Sequence, residues 1–257
     1  MEAPHRDGIS LVIPAYNEED RLSKSLEAYL PVLKSFHRPY EIIVVIDGMD
    51  NTYGVAQGYA SQGVRPFRYD MKLGKGGAIR EGILLARHVT IAWVDADGSL
   101  SAHDLQTMLE VSSGFDCVVA SRWVAGSVWL EKEPLFNRAV GRVFNFMVRG
   151  TLGLPIADTQ CGAKVFKASI ARHVISSTVV TNRTFDVAVL YHARKSGASM
   201  VEVPVSWRHD ADTRMPIFRV IPIMFITLIG IRLMNLPIRK YLPTRFVDYF
   251  VRRYARD

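Results

Sequence analysis

Short runs of Val, Ile and other apolar residues recur along this 257-residue chain and alternate with segments of helical periodicity. The strand-like runs are ISLVIPAY at 9–16, YEIIVVID at 40–47, VTIAWVDADG at 89–98 and FDCVVASR at 115–122. Continuous apolar strands that alternate with helices are typical of βαβ units, where helices cover both faces of a mainly parallel sheet. We therefore predict an α/β catalytic domain over residues 1–213. Helices are expected near 51–62, over 74–88, over 134–150 and from about 184, and one further strand over 200–207.

Polar side chains follow these apolar runs at the point where each predicted strand ends. Ligands of open α/β sheets bind beyond the carboxyl ends of the strands. In the sequence DADG, Asp95 and Asp97 stand two positions apart at such an end, so both carboxylates can reach one point. Hard oxygen ligands with this spacing suit Mg²⁺ or Mn²⁺, which commonly also bind substrate phosphates. The alternative is a solvated Asp-Gly turn that caps the next helix.

Two other segments suggest a site for a nucleotide. Asp47 of VIDG lies at the end of the second predicted strand, where a carboxylate can hold ribose hydroxyls or a base edge. The segment KLGKGGA at 72–78 opens a helix and offers backbone N–H groups and lysines to an anion. Its glycines match neither the phosphate-binding loop of nucleotide triphosphatases nor the dinucleotide-binding fingerprint, which argues against kinases, GTPases and dehydrogenases.

The order VIPAYNEE, VIDG, GKGGA and DADG resembles the family 2 glycosyltransferases of the GT-A fold, over most of residues 8–215. The segments SRW, DTQCGAKVF, TFDVAVL and VEVPVSWRH further resemble the polyprenyl-phosphate hexose synthases of that family, which make dolichyl phosphate mannose or glucose. The resemblance implies a GT-A (Rossmann-like) fold and an inverting transfer of a hexose from a nucleotide sugar to a polyprenyl or dolichyl phosphate, in protein glycosylation.

The resemblance also implies roles for individual residues. Those expected to bind the nucleotide sugar are Pro14, Tyr16, Glu18, Asp47, Lys75 and Asp95. Those expected to hold Mn²⁺ or Mg²⁺ are Asp95 and Asp97, with His209 as a further candidate. Those expected at the reaction centre are Asp97, Asp158, Gln160 and Asp186. Those expected to grip the acceptor phosphate are Arg122, Arg138, Arg142 and Arg214. Arg122 can instead pair with a surface carboxylate, and Arg138 with Arg142 can form a solvated helix face.

The acceptor determines which of these groups the reaction needs. A lipid monophosphate, with a second pKa of about 6, arrives ionised and needs guiding arginines rather than a base. A sugar hydroxyl needs a general base. We expect the lipid phosphate as acceptor, with GDP-mannose slightly favoured over UDP-glucose as donor. The alternative is transfer to a hydroxyl of a lipid-linked glycan, with Asp186 as base as in cellulose-synthase-like relatives. A non-catalytic sensor would be expected to lack the Asp95 and Asp97 pair.

The last 44 residues differ from the rest in charge and hydropathy. Residues 214–257 hold nine Lys or Arg and two Asp or Glu, whereas residues 1–213 hold 23 of each sign. The uninterrupted apolar core runs from 221 to 231, and the twelve residues between Arg219 and Arg232 form about 18 Å of helix, short of a bilayer of about 30 Å. We predict basic, apolar C-terminal helices at an anionic membrane surface on the cytoplasmic face, and no nucleic-acid binding. The alternative is a C-terminal helix packed on the domain.

Overall fold

A computed structural model describes residues 5–130, 135–207 and 217–236 of the chain. The strands are β1 His5–Ala15, β2 Tyr40–Ile46, β3 Val64–Arg68, β4 His88–Trp93, β5 Cys117–Ser121, β6 Val128–Trp129, β7 Lys164–Lys167, β8 Met200–Pro204 and β9 Ser206–Trp207. The helices are α1 Leu22–Ser35, α2 Thr52–Gln57, α3 Gly74–Leu85, α4 Ala102–Val111, α5 Leu135–Leu152, α6 Ala168–Ser177, α7 Phe185–Lys195 and α8 Ile217–Met234.

Seven strands form one sheet in the order β3-β2-β1-β4-β7-β5-β8, and β6 pairs with β9 in a second, two-stranded sheet. All neighbours in the large sheet are parallel except β7, which runs antiparallel to both β4 and β5. The predicted mainly parallel sheet is therefore confirmed. Its C-terminal edge gathers the ends of β1, β2, β4 and β5, which is where the predicted site residues lie.

Helices cover both faces of this sheet because side chains alternate along each central strand. On β1, Leu11 and Ile13 pack into a core with α1 and α4, whereas Val12 packs on the opposite side with α3, α6 and α7. All three side chains are fully buried. The two cores account for the continuous apolar runs, since a strand covered on both faces needs apolar residues at every position.

Two predicted elements differ from those observed, and one observed helix was not predicted. The single strand expected over 200–207 is divided after Pro204, which has no N–H to donate to a ladder, and Ser206–Trp207 joins the second sheet instead. The helix expected near 51–62 is α2 followed by a 3₁₀ turn at Ala60–Gln62. Helix α6, Ala168–Ser177, was not predicted, although its buried Ala171, Val174 and Ile175 have helical spacing.

Helix α8 is the described part of the basic, apolar tail. Its Leu228 and Ile231 are buried against the domain, and Asn182 donates a hydrogen bond of 3.3 Å to Thr227. On its other side Ile223 and Ile229 are exposed. The helix thus packs on the domain and also presents an apolar face. None of the helices in the described part of the chain has the length and apolar character that a membrane crossing requires. The predicted boundary at 213/214 and the part of the predicted C-terminal helices beyond residue 236 lie outside the described residues.

Candidate active site

The DADG turn follows β4, and two hydrogen bonds from helix α1 hold it in place. Ser25 donates a hydrogen bond of 2.7 Å to the carbonyl of Ala96, and one turn further Tyr29 donates one of 2.9 Å to the carbonyl of Leu100. Gly98 has a φ of +70°, which a residue with a side chain adopts only at a cost. Burial, reinforced by the charges of Asp97, Asp95 and Asp104, raises the pKa of the Tyr29 hydroxyl, so it stays a donor.

Asp95 lies between a lysine and a glycine. Its Oδ1 is 2.6 Å from Nζ of Lys75, at the start of α3. A Cβ at position 162 would lie 1.9 Å from Oδ2 of Asp95, so only glycine leaves room for this carboxylate. Gly162 belongs to the DTQCG segment, which explains why that segment ends in a glycine. Asp97 accepts hydrogen bonds from the backbone N–H of Ser99, at 2.9 Å, and from the Ser99 hydroxyl.

Lys75 is the cation closest to these carboxylates. Burial lowers the pKa of its ammonium, but Asp95, and then Asp186 and Asp97, raise it by more, so that the net shift is upward. Lys75 therefore stays protonated at neutral pH. The structure brings together Lys75, Asp95, Asp97 and Asp186, all of which were predicted as site residues.

The Asp95 and Asp97 carboxylates have the chemistry of a Mg²⁺ or Mn²⁺ site. Both are partly exposed at the mouth of the sheet, and the space beside Asp95 is kept free of a side chain by Gly162. Such ions usually take few protein ligands and complete their shell with water and substrate phosphate. No cluster of three or more His, Cys, Asp or Glu side chains with metal-binding geometry occurs among residues 5–130, 135–207 and 217–236. The two aspartates therefore fit the ion as partial ligands. His209 lies outside the described residues.

The start of helix α3 is already capped, contrary to the expectation that KLGKGGA offers free backbone N–H groups. Oδ2 of Asp47 accepts hydrogen bonds of 2.8 Å from the N–H of Leu73 and 3.0 Å from that of Gly74. The N–H of Gly76 donates to the carbonyl of Thr181 at 3.0 Å. Asp47 thus orients the helix that carries Lys75, and the N–H groups of Leu73, Gly74 and Gly76 are used internally.

The end of β1 forms the rim of the predicted nucleotide pocket. Tyr16 is 52% exposed, and Nζ of Lys72 lies 5.3 Å from its ring centre. Glu18 pairs with Arg21 through two hydrogen bonds, of 2.8 and 2.9 Å. Pro14 is partly buried and is the second-to-last residue of β1. The exposed ring of Tyr16 offers a surface on which a base can stack.

Asn17 is a residue of this rim that sequence analysis missed. It has a positive φ of 56°, and its Oδ1 accepts a hydrogen bond of 2.9 Å from the N–H of Met49. A Cβ on Gly48 would lie 2.5 Å from that oxygen. The Asn-Glu dipeptide after a strand was the available signal, because Asn tolerates the left-handed region better than most residues.

Asp158 is fully buried and is bound by Arg122 on two sides of the carboxylate. Nε and Nη2 of Arg122 donate hydrogen bonds of 2.7 and 3.0 Å, and the Arg122 N–H donates a third of 3.0 Å. Burial raises the pKa of the Asp158 carboxyl, but the charge and hydrogen bonds of Arg122 lower it by more, so the net shift is downward. Arg122 thus pairs with a buried carboxylate, which differs from the surface carboxylate considered as the alternative to a phosphate contact.

The loop around Asp158 is fixed by two further residues that the sequence did not suggest. Glu202 on β8 accepts hydrogen bonds of 2.8 and 3.0 Å from the N–H groups of Ala157 and Asp158. Asn145 on α5 accepts hydrogen bonds of 3.1 and 2.7 Å from the N–H and hydroxyl of Thr159. The next residue, Gln160, keeps a buried Nε2 without a hydrogen-bond partner in the described part of the chain. It is therefore a donor still to be satisfied.

Asp186 lies in the first turn of α7 and is paired with a fully buried lysine. Nζ of Lys164 donates a hydrogen bond of 2.6 Å to Oδ1 of Asp186 and one of 2.6 Å to the carbonyl of Cys161. Lys164 is 0% exposed, although it belongs to the antiparallel strand β7 in the centre of the sheet. The carboxylate proposed as a general base in the alternative reaction is thus the counter-ion of a buried ammonium.

Three arginines and three tryptophans form one chain of contacts, which we call the Trp–Arg ladder, and within it the rings of Trp123 and Trp129 also contact each other. The Cζ atom of Arg122 lies 5.2 and 5.8 Å from the ring centres of Trp207 and Trp129. That of Arg138 lies 5.0 and 5.7 Å from Trp129 and Trp123. That of Arg142 lies 4.5 Å from Trp123. The ladder order is Trp207, Arg122, Trp129, Arg138, Trp123 and Arg142.

The ladder thus brings together three of the four arginines predicted to contact the acceptor phosphate. Arg214, the fourth, lies outside the described residues.

Comparison with known proteins supports the family suggested by the motifs. The profile of "Glycosyl transferase family 2" matches residues 10–175. The chain is 36% identical over 220 residues to the dolichyl-phosphate beta-glucosyltransferase of Drosophila melanogaster, covering 77% of this chain and 66% of that protein. It is 35% identical over 216 residues to the human dolichyl-phosphate beta-glucosyltransferase, covering 77% of this chain and 67% of that protein. The chain belongs to glycosyltransferase family 2.

A more distant relative is the glycosyltransferase AglD of Haloferax volcanii, 31% identical over 219 residues, which cover 82% of this chain and 35% of AglD. This chain therefore spans about two thirds of the length of the dolichyl-phosphate glucosyltransferases and about a third of AglD.

Among solved structures, the glucosyl-3-phosphoglycerate synthase of Mycobacterium tuberculosis is similar in fold. Its complex with Mn²⁺, UDP and glucosyl-3-phosphoglycerate has a TM-score of 0.66 and 15% identity, covering 88% of this chain and 80% of the other. The predicted GT-A glycosyltransferase fold is thus confirmed.

Proposed function

We propose that this protein is an inverting, metal-dependent glycosyltransferase that moves glucose from UDP-glucose to the phosphate of a polyprenyl phosphate such as dolichyl phosphate. The observation that carries the proposal is the pair Arg138 and Arg142. Neither guanidinium forms an ion pair with a carboxylate within residues 5–130, 135–207 and 217–236. They lie in the same ladder as Arg122, whose partner Asp158 belongs to the loop that contacts Asp95. Two guanidinium groups that lack a carboxylate partner in the described part of the chain, in the same ladder as Arg122, suit a phosphate dianion.

Glucose replaces mannose as the proposed sugar. The motifs alone slightly favoured GDP-mannose, but the relatives with 36% and 35% identity are named as glucosyltransferases of dolichyl phosphate. UDP-glucose is accordingly the donor that we propose.

The proposed reaction forms one bond and breaks one. A phosphate oxygen of the acceptor attacks the anomeric carbon of glucose, and the bond from that carbon to the UDP oxygen breaks with its electron pair. The acceptor phosphate monoester becomes a diester, and UDP leaves. Because the acceptor is already ionised, no side chain has to remove a proton. Arg138 and Arg142 orient the nucleophile, and Lys75 neutralises charge that develops on the departing diphosphate.

A divalent ion would be held by Asp95 and Asp97. Bound there, Mn²⁺ or Mg²⁺ would stabilise the negative charge of the departing diphosphate. The glucosyl-3-phosphoglycerate synthase was crystallised with Mn²⁺ or Mg²⁺ together with UDP, which supports the same ions here.

We also propose that the protein works at a membrane surface, facing the cytoplasm. A polyprenyl acceptor lies in a bilayer, and the exposed residues Val143 and Phe146 of α5 and Ile223, Ile226 and Ile229 of α8 offer apolar contact with lipid. Both cysteines are buried free thiols, which suits a reducing compartment. Sedimentation with anionic liposomes tests the membrane part of the proposal, and a protein that stays in the supernatant at low salt contradicts it.

The test of the function is a donor screen. UDP-glucose and GDP-mannose, each labelled in the sugar, are offered with a polyprenyl phosphate in detergent, with Mn²⁺ or with EDTA. We expect label from UDP-glucose in the lipid fraction, lost with EDTA and with Asp97→Asn. Asp7→Asn, an exposed aspartate near the opposite end of β1, is the matched control and keeps full transfer. Label from GDP-mannose alone contradicts the proposed sugar, and no label in the lipid from either donor contradicts the proposed acceptor.

A further inference from the structure

The Trp–Arg ladder has a fixed inner end. Arg122 is held by two side-chain hydrogen bonds to Asp158, which is fully buried. Its guanidinium plane is therefore set by the core of the domain and not by solvent. Trp207 and Trp129, which flank it, belong to the two-stranded sheet in which β6 pairs with β9. Trp129 contacts both Arg122 and Arg138, so the fixed position of Arg122 also restrains the Trp129 ring and, through that ring, the guanidinium of Arg138.

The ladder has an open outer end. Arg142 is exposed, and Arg138 is partly exposed. An arginine on a protein surface normally samples many rotamers, and ordering one such side chain costs a substantial conformational entropy. Stacking on an indole uses the face of the guanidinium and leaves the N–H donors at its edge available. Trp123 lies between Arg138 and Arg142 and can therefore order both without occupying their hydrogen-bond donors.

The tryptophans of the ladder differ from the remaining one. Trp93 is fully buried and stacks on Phe166 with ring centres 5.0 Å apart, as expected of a core residue. Trp123 and Trp129 are only partly buried, and their ring centres are 5.2 Å apart. Both rings contact arginines of α5 and one another, and Trp129 also contacts Arg122. A partly exposed indole that stacks on exposed cations contributes little core packing.

We propose that Trp123 and Trp129 are positioning residues that hold Arg138 and Arg142 ready for the acceptor phosphate. The inference rests on the proposed function, because it assumes that these arginines bind the phosphate of the acceptor. Both tryptophans act through the arginines, so their loss weakens acceptor binding and leaves donor binding intact. Preorganisation is the physical gain, since the bound phosphate then orders fewer side chains.

The test compares Trp123→Leu, Trp123→Phe and Arg142→Lys with the wild-type protein. The acceptor KM, kcat and the Kd for UDP are measured, together with Tm. We expect Trp123→Leu to raise the acceptor KM about tenfold, with the UDP Kd unchanged. Trp123→Phe keeps an aromatic face and changes the KM by no more than about threefold. Arg142→Lys keeps the charge but loses the planar group, and raises the KM as much as Trp123→Leu.

The double variant Trp123→Leu/Arg142→Lys separates positioning from general damage. If Trp123 acts through Arg142, the double variant has nearly the same acceptor KM as either single one. Multiplicative effects overturn the inference, as does a Trp123→Leu protein whose acceptor KM stays within twofold of wild type. If Trp123→Leu fails to fold, Trp129→Leu takes its place in the same cycle, with Arg138→Lys.

A wild-type protein that binds UDP but transfers no sugar to polyprenyl phosphate refutes the proposed function itself, and the inference with it. A wild-type protein that transfers normally while the variants show no change in acceptor KM refutes the inference alone.

Discussion

Nζ of Lys75 lies 2.6 Å from Oδ1 of Asp95, so an internal cation occupies part of the carboxylate pair that the DADG turn presents. The same ammonium is influenced by Asp186 and Asp97, and the raised pKa of Lys75 keeps it charged across neutral pH. A divalent ion that uses Asp95 has to share this carboxylate with Lys75 or displace it. Lys75 would therefore share Asp95 with the metal, or move away from it, when the donor and its metal bind.

Replacing Lys75 with Met is expected to strengthen metal binding and to slow transfer. With no ammonium beside Asp95, we expect the Kd for Mn²⁺ to fall about tenfold, because the competing charge is gone. Transfer slows because the departing diphosphate loses a cation. Calorimetric titration with Mn²⁺ measures the first effect, and Lys24→Met, an exposed lysine on α1, serves as control. An unchanged Mn²⁺ affinity would show that Lys75 and the metal do not share Asp95.

Gly162→Ala is expected to damage the site more than the fold. The new Cβ would lie 1.9 Å from Oδ2 of Asp95, so this carboxylate must move. We expect transfer to fall on the order of 100-fold, as when one electrostatic contact is lost. The control is Gly150→Ala on α5, where a Cβ meets nothing within 4 Å. Normal transfer by Gly162→Ala would mean that the position of Asp95 is not critical.

Arg122→Met is expected to destabilise the protein by about 3–5 kcal/mol at pH 7, because it leaves the Asp158 charge buried and unpaired. The folded-state pKa of Asp158 is lowered, so the stability from this pair is present above the unfolded value of about 3.9. It is lost as the pH falls through the lower folded value. Urea unfolding at several pH values should show the difference between variant and wild type shrinking below about pH 4.

Arg21→Met is the matched control for this prediction. Arg21 pairs with Glu18 at the surface, with its side chain 40% exposed, so less than about 1 kcal/mol should be lost. A similar loss in both variants would mean that the buried pair with Asp158 has no special weight.

Asp186→Asn is expected to destabilise the protein strongly, because Lys164 then lacks a counter-ion inside the sheet. Loss of activity in that single variant cannot separate a structural role from a catalytic one. The double variant Lys164→Met/Asp186→Leu can, since it replaces the buried ion pair with apolar groups. We expect it to recover much of the lost stability and to transfer sugar to the lipid phosphate. A folded but inactive double variant would favour Asp186 as a general base.

Much of the fold could be predicted because strands covered on both faces leave a clear apolar pattern. The antiparallel insertion of β7 between β4 and β5 could not, since a four-residue strand carries no signal for direction. Lys164 did carry a signal that was not used. A lysine inside an apolar strand needs a buried partner, so its position indicates a buried ion pair. Ser25 and Tyr29 likewise stand one turn apart on the apolar face of α1, as polar groups that require acceptors.

The sequence indicated which residues lie at the site better than it indicated which of them pair with one another. Asp47, Asp95 and Asp97 do lie together at the C-terminal edge of the sheet, as their positions after apolar runs indicated. Arg122 and Asp186 pair with residues that lie about 20 to 36 positions away in the chain, and no local sequence pattern indicates such pairs. The roles given to the site residues stay predictions.

Transfer to a phosphate oxygen is tested by comparing two acceptors of the same chain length, a polyprenyl phosphate and the corresponding polyprenol. Each is offered to the wild-type protein with labelled UDP-glucose and Mn²⁺, beside a lipid-linked glycan that carries free hydroxyls. We expect label in the polyprenyl phosphate alone, because only this acceptor brings an ionised oxygen and a charge for Arg138 and Arg142. Label in the glycan, with none in the polyprenyl phosphate, would contradict this expectation.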